Sequence, residues 1–172
     1  MLVFLVGFMG SGKSTYGPKL AEKLEFDFID TDELIETVEQ LSVNQIFAFK
    51  GEEYFRQKEN EILQHLSSKK NLVIATGGGM PCHNDNMEKM RAIGLTVYLK
   101  AGLGCIMQNL LKDKGKRPLI DGVNPSELAD FISDKLDDRK PCYQTAQLTI
   151  VSKGLKSNDL FELVKQNINP KQ

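Results

Sequence analysis

Leu2-Val3-Phe4-Leu5-Val6-Gly7-Phe8-Met9-Gly10-Ser11-Gly12-Lys13-Ser14 joins an unbroken apolar run to the pattern G-x-x-x-x-G-K-S. Large apolar residues in succession leave no polar face for water, so they read as a strand buried on both sides, the kind found in parallel sheets. The glycines let the backbone curl until successive N–H groups point inward, and a helix that starts in the loop adds the positive end of its dipole. In that setting Lys13 reaches the β- and γ-phosphates, and the Ser14 hydroxyl is placed for Mg²⁺. Strand, glycine loop and helix in this order make a nucleoside triphosphate site.

The bulk numbers fit this reading. At 172 residues the chain suits one domain with a real core. A net charge of −1 gives no diffuse basic field, so neither nucleic acid nor an anionic membrane is an expected partner. Cys82, Cys105 and Cys142 and the two histidines, His65 and His83, show no metal-ligand spacing. An odd cysteine count without a disulfide frame suits a reducing compartment. The first apolar run lacks a basic lead and passes straight into the loop, so a cleavable signal would destroy the site. No stretch reaches transmembrane length. The expectation is a soluble cytoplasmic monomer.

Beyond the loop, strands alternate with helices. Strand 1 covers about 2–6, and helix 1 runs from the loop through Leu24, with Pro18 expected to disturb its second turn. Phe26–Ile29 is a strand ending at Asp30-Thr31-Asp32, and a helix follows from Glu33. Ser42-Val43-Asn44-Gln45 matches a capping box that restarts a helix, Gly51 breaks it, and Glu52–Leu66 resumes it. Leu72–Ala75 and Leu95–Leu99 are strands, with helices at about 84–92 and 103–112. Two helices, near 126–135 and 137–143, precede a last strand at 148–151 and a helix from about Asn158. This alternation implies a parallel sheet with helices on both faces, and ligands gather beyond the carboxyl ends of its strands.

Three of those strand ends carry chemistry. If the backbone stays extended, Asp30 and Asp32 project to one side; one assists Mg²⁺ through water, and the other orients or deprotonates an attacking hydroxyl. The competing role for either is to cap the next helix. Gly77-Gly78-Gly79 permits close backbone approach to a ligand, or is simply an accommodating turn. On the helix after Gly51, Arg56 sits beside core-facing Phe55, and Glu59 at i+3 can hold its guanidinium for bidentate carboxylate binding. The basic stretch 112–117 has Gly115 and Gly122 as hinges. It is either a solvated excursion or a lid that brings Arg117 to the transferring phosphate and excludes water.

The order G-F-M-G-S-G-K-S-T, D-T-D, F-R-x-x-E, G-G-G, R-P-L and R-x-x-x-Y resembles the shikimate kinases, across Leu2 to about Val151. The resemblance implies a three-layer α/β/α fold with a five-stranded parallel sheet in order 2-3-1-4-5. It also implies a helical substrate-binding region at about 33–65, a lid at about 112–123, and a core formed by about 1–32, 66–111 and 124–172. It further implies that Gly10, Ser11, Gly12, Lys13, Ser14 and Thr15 bind ATP phosphates, with Asp30 supporting Mg²⁺ through water. Asp32 would hold the shikimate hydroxyls and serve as base. Arg56 and Arg139 would clamp the shikimate carboxylate with backbone help from Gly78 and Gly79, and Arg117 would contact ATP. Two positions depart from the pattern: Leu110 stands where the family often has an arginine stacked on adenine, and Pro18 interrupts helix 1. Related kinases of gluconate or nucleoside monophosphates are the enzymatic rivals; a nucleotide-binding switch is the non-enzymatic one.

Overall fold

The computed structural model describes residues 1–112, 124 and 127–168. Five strands, β1 (Leu2–Val6), β2 (Asp27–Asp30), β3 (Leu72–Ala75), β4 (Leu95–Lys100) and β5 (Leu148–Val151), form one sheet in the order β2-β3-β1-β4-β5. Every pairing is parallel, with Phe4 opposite Ile74 and Thr96 in the central register. The order expected from the family resemblance is the order found.

Side chains alternate across β1, and that alternation divides the core. Leu2, Phe4 and Val6 point to a cluster closed by Leu63, Met90, Ile106, Leu110 and Tyr143, whereas Val3 and Leu5 point to a second cluster closed by Leu20, Leu160 and Val164. The first face is covered by α3 (Val43–Leu66), α4 (Asn86–Ile93), α5 (Leu103–Lys112) and α6 (Leu128–Tyr143). The second is covered by α1 (Lys13–Leu24) and α7 (Ser157–Ile168). β1 is buried on both faces, which explains why its sequence carries no polar alternation.

α2 (Thr31–Glu39) and the first half of α3 stand off the sheet around a small core of their own, Ile35, Ile46 and Phe55. Ser42 caps α3 through the expected reciprocal box with Gln45. Gly51, at φ 83° and ψ 168°, kinks the helix where a break was expected. The bend folds Phe47 back onto Phe55, with ring centroids 5.0 Å apart. A side chain at position 51 would be strained by that positive φ.

Two local expectations, for Asp32 and for residues 128–143, are corrected, and the one for Pro18 is made more specific. Asp32 is not on extended backbone: α2 begins at Thr31, and Asp30 is its N-cap, accepting a hydrogen bond from the Asp32 N–H at 3.0 Å. α1 continues through Pro18, which removes one intrahelical donor near the loop without ending the helix. Residues 128–143 form one helix rather than two, and it likewise passes through a proline, Pro141. Of the lid expected at about 112–123, residues 113–123, with Gly115, Arg117 and Gly122, lie outside the described residues, as does the start near Ser126 of the first of those two helices. Among the described residues no helix is long and apolar enough to cross a membrane.

Candidate active site

The phosphate loop leaves the end of β1. Gly7, Gly10 and Gly12 have φ of 143°, 75° and 101°, values that only glycine reaches without strain. A Cβ on Gly7 would stand 2.8 Å from the Leu99 carbonyl oxygen, so the loop also needs glycine for space. Lys13 opens α1 and is buried, its ammonium donating to the Gly7 carbonyl at 2.8 Å and the Phe8 carbonyl at 3.0 Å. That places a positive charge under the loop.

Asp30 combines the two roles weighed from sequence. Its Oδ1 caps α2, while its Oδ2 accepts the Ser14 hydroxyl at 2.8 Å. The cap fixes the carboxylate beside the hydroxyl, and two hard oxygen donors side by side suit Mg²⁺. Asp32 follows in the first turn of α2 and packs under β3's exit: a Cβ on Gly77 would lie 2.4 Å from Asp32 Oδ1 and 3.0 Å from Glu59 Oε1. Gly77 is glycine because those two carboxylates need the room. Its N–H donates to the Thr31 hydroxyl, which ties the glycine run to α2.

Ser14, Asp30, Asp32 and Gly78 line both a 410 Å³ cavity over the loop and a 450 Å³ cavity beside it. The loop cavity takes Gly10, Gly12, Lys13 and Thr15; the other takes Arg56, Gly79 and Arg139. Two adjoining cavities that share Asp32 suit a donor and an acceptor held on either side of a transferring group. Ser11, within the loop, is buried.

In the acceptor cavity two arginines converge from different helices. Arg56 Nη1 donates to Glu59 at 2.8 Å and Nη2 to Glu52 at 2.8 Å. The Glu59 partner was expected; Glu52, one turn earlier, was not, although its i, i+4 spacing signals it. A Cβ on Gly79 would stand 2.7 Å from the Arg56 guanidinium, which explains the glycine there. Arg139 comes from α6, its guanidinium carbon 5.6 Å from the Phe8 ring centre. Among the described residues its buried Nη1 has no hydrogen-bond partner, a donor that an anion would satisfy. Cys82 and His83 lie by this cavity; burial and the Arg56 charge push His83 below its ordinary pKa. The three cysteines are free thiols.

Glu59 is fully buried, and burial pushes its carboxyl up to about 7 against the opposing pull of Arg56. The folded chain therefore keeps a proton that the unfolded chain releases near 4.5. Stability contributed by that difference is full below pH 4.5 and is lost as pH rises to about 7. Urea unfolding across this window is expected to show the parent losing stability relative to Glu59→Gln. A pH-independent difference between the two would contradict the burial argument.

The shikimate kinase family model matches residues 9–169, and a shikimate kinase of Azobacteroides pseudotrichonymphae is 44% identical, over 98% of each chain. The chain belongs to the shikimate kinase family. It is an ATP-dependent phosphotransferase of that family. The crystal structure of shikimate kinase from Bacteroides thetaiotaomicron superposes with a TM-score of 0.87 at 37% identity, covering 99% of this chain and 97% of that one. The enzyme from Acinetobacter baumannii in complex with shikimate superposes with a TM-score of 0.88 at 36% identity, covering 97% and 92%.

One departure from the family pattern bears on the nucleotide side. Leu110, at the position where an adenine-stacking arginine was looked for, is buried beneath the loop, and a Cβ on Gly10 would lie 3.4 Å from its Cγ. Its side chain supports the loop from the core. Asn109, which sequence reasoning missed, lines the loop cavity instead.

Proposed function

We propose that the chain transfers the γ-phosphate of ATP in line to the 3-hydroxyl of shikimate, with no covalent enzyme intermediate. The observation that carries this reading is the pair of arginines converging on a cavity that shares Asp32 with the phosphate-loop cavity. Arg56 and Arg139 take the substrate carboxylate, helped by the Gly78 and Gly79 backbone. Phe47 and Phe55 also line this cavity, but two cations beside the Asp32 carboxylate suit a polyhydroxylated carboxylate better than a nucleobase. Orientation by that clamp brings the reacting hydroxyl to Asp32, which accepts its proton as the phosphoryl group arrives.

On the donor side, backbone N–H groups of Gly10–Thr15 and the Lys13 ammonium hold the phosphates. Ser14, and Asp30 through water, would hold Mg²⁺, which would supply charge neutralisation on the phosphates. Arg117, assigned by the R-P-L likeness, contacts ATP from the segment at 112–123. The segment 33–65 is the acceptor-binding region, and the remainder is the nucleotide-binding core of one domain. The cytoplasm is the proposed compartment, and a monomer the proposed state.

Ser14→Ala tests the metal assignment. The variant is expected to need about tenfold more Mg²⁺ for half-maximal activity, because one of two direct or relayed oxygen donors is gone. An unchanged Mg²⁺ requirement would remove Ser14 from the metal site.

A further inference from the structure

The phosphate loop binds an anion only while its carbonyls face away from it. The Phe8 and Gly7 carbonyls are occupied by the Lys13 ammonium. The peptide joining Gly10 to Ser11 is held at both ends: its N–H donates to the Phe8 carbonyl at 3.1 Å, and its carbonyl accepts Asn109 Nδ2 at 2.7 Å. Asn109 reaches this carbonyl from α5, 99 residues away in sequence. Its amide also contacts Cys105 Sγ, one turn earlier, at 3.8 Å. On the same face of α5, the Ile106 carbonyl and the Leu110 side chain press against Gly10 at 3.2 Å and 3.4 Å from where a Cβ would stand. Gly10 is thus gripped by a hydrogen bond and by packing, at a φ of 75° that it can readily leave.

We propose that Asn109 is a positioning residue that holds the phosphate loop in its anion-binding shape by fixing the Gly10 carbonyl outward. Without the amide donor, that carbonyl sits in a partly buried place with no partner and is free to rotate toward the loop cavity. There it would present a negative dipole to the phosphate oxygens, so the loss falls on phosphate binding and on the placement of the transferring group. The inference rests on the assignment of the loop to ATP phosphates.

Asn109→Leu and Asn109→Asp both keep the side chain's size and remove the donor; Asn109→Ala is the fallback if either fails to fold. Binding of inorganic tripolyphosphate by titration calorimetry, and KM for ATP and for shikimate, are measured with the thermal midpoint. The unaltered chain must bind tripolyphosphate; if it does not, the loop assignment itself fails and the role of Asn109 with it. Given that binding, each variant is expected to weaken tripolyphosphate and to raise KM for ATP by about tenfold, with KM for shikimate within about twofold of the parent. Unchanged tripolyphosphate affinity in Asn109→Leu would overturn the proposal. So would equal rises in both KM values, which would mark Asn109 as a general packing residue.

Discussion

Asp32→Asn is expected to lower kcat by roughly 10²–10⁴-fold, the usual worth of a positioned general base, with ATP affinity unchanged. The substitution keeps the shape of the side chain, which matters because Asp32 Oδ1 fits against Gly77 with no room to spare. What changes is basicity, since an amide cannot take the proton of the attacking hydroxyl. The first turn of α2 fixes Asp32 through the Asp30 cap, so the loss cannot be relieved by a simple shift of the chain. Asp32 lines one side of the loop cavity, but the phosphates are held by the loop backbone and Lys13, which the variant leaves intact. Steady-state kcat by ADP release, together with calorimetric ATP binding, reads both halves. Turnover near the parent rate would show that Asp32 is not the base.

Arg56→Met is expected to raise KM for shikimate by about a hundredfold, as for the loss of a bidentate charge-assisted pair, and also to destabilise the fold. Glu59 is buried and has Arg56 as its partner at 2.8 Å. Removing one member of a buried pair costs about 3–5 kcal/mol when the other stays charged, and less where it can take up a proton. With Arg56 present Glu59 loses its proton only at about 7, and removing the arginine's pull moves that point higher, so the destabilisation relative to the parent is expected to grow as pH rises above 7. The double variant Arg56→Met/Glu59→Gln separates the two effects. Denaturant unfolding should recover most of the lost stability, while KM stays high. If KM recovered along with stability, the arginine would be a structural partner of Glu59 and not a substrate ligand.

Much of this was legible in the sequence because the signals are local. The apolar run into G-x-x-x-x-G-K-S determined β1, the loop and α1. The Ser42/Gln45 box and Gly51 predicted a kinked α3, and the i+3 spacing of Arg56 and Glu59 predicted their pair. Less legible was what depends on where a helix starts. Asp30 and Asp32 looked alike at i, i+2, yet the α2 boundary falls between them, making one the cap and placing the other within the first turn. The helical break once expected between 135 and 137 does not occur, since nothing there interrupts burial of Leu128, Ile132 and Tyr143 on one side of α6. Asn109 had no local signal at all: its partner is Gly10, and only the parallel sheet brings α5 over that loop.

The identity of the acceptor is read by ADP release in the presence of ATP and Mg²⁺, with shikimate, gluconate, AMP or no acceptor added in parallel. Rapid release is expected with shikimate, with the phosphate recovered on its 3-hydroxyl, and release near the no-acceptor background with gluconate and with AMP. Release with gluconate or AMP that matched or exceeded release with shikimate would contradict shikimate as the acceptor.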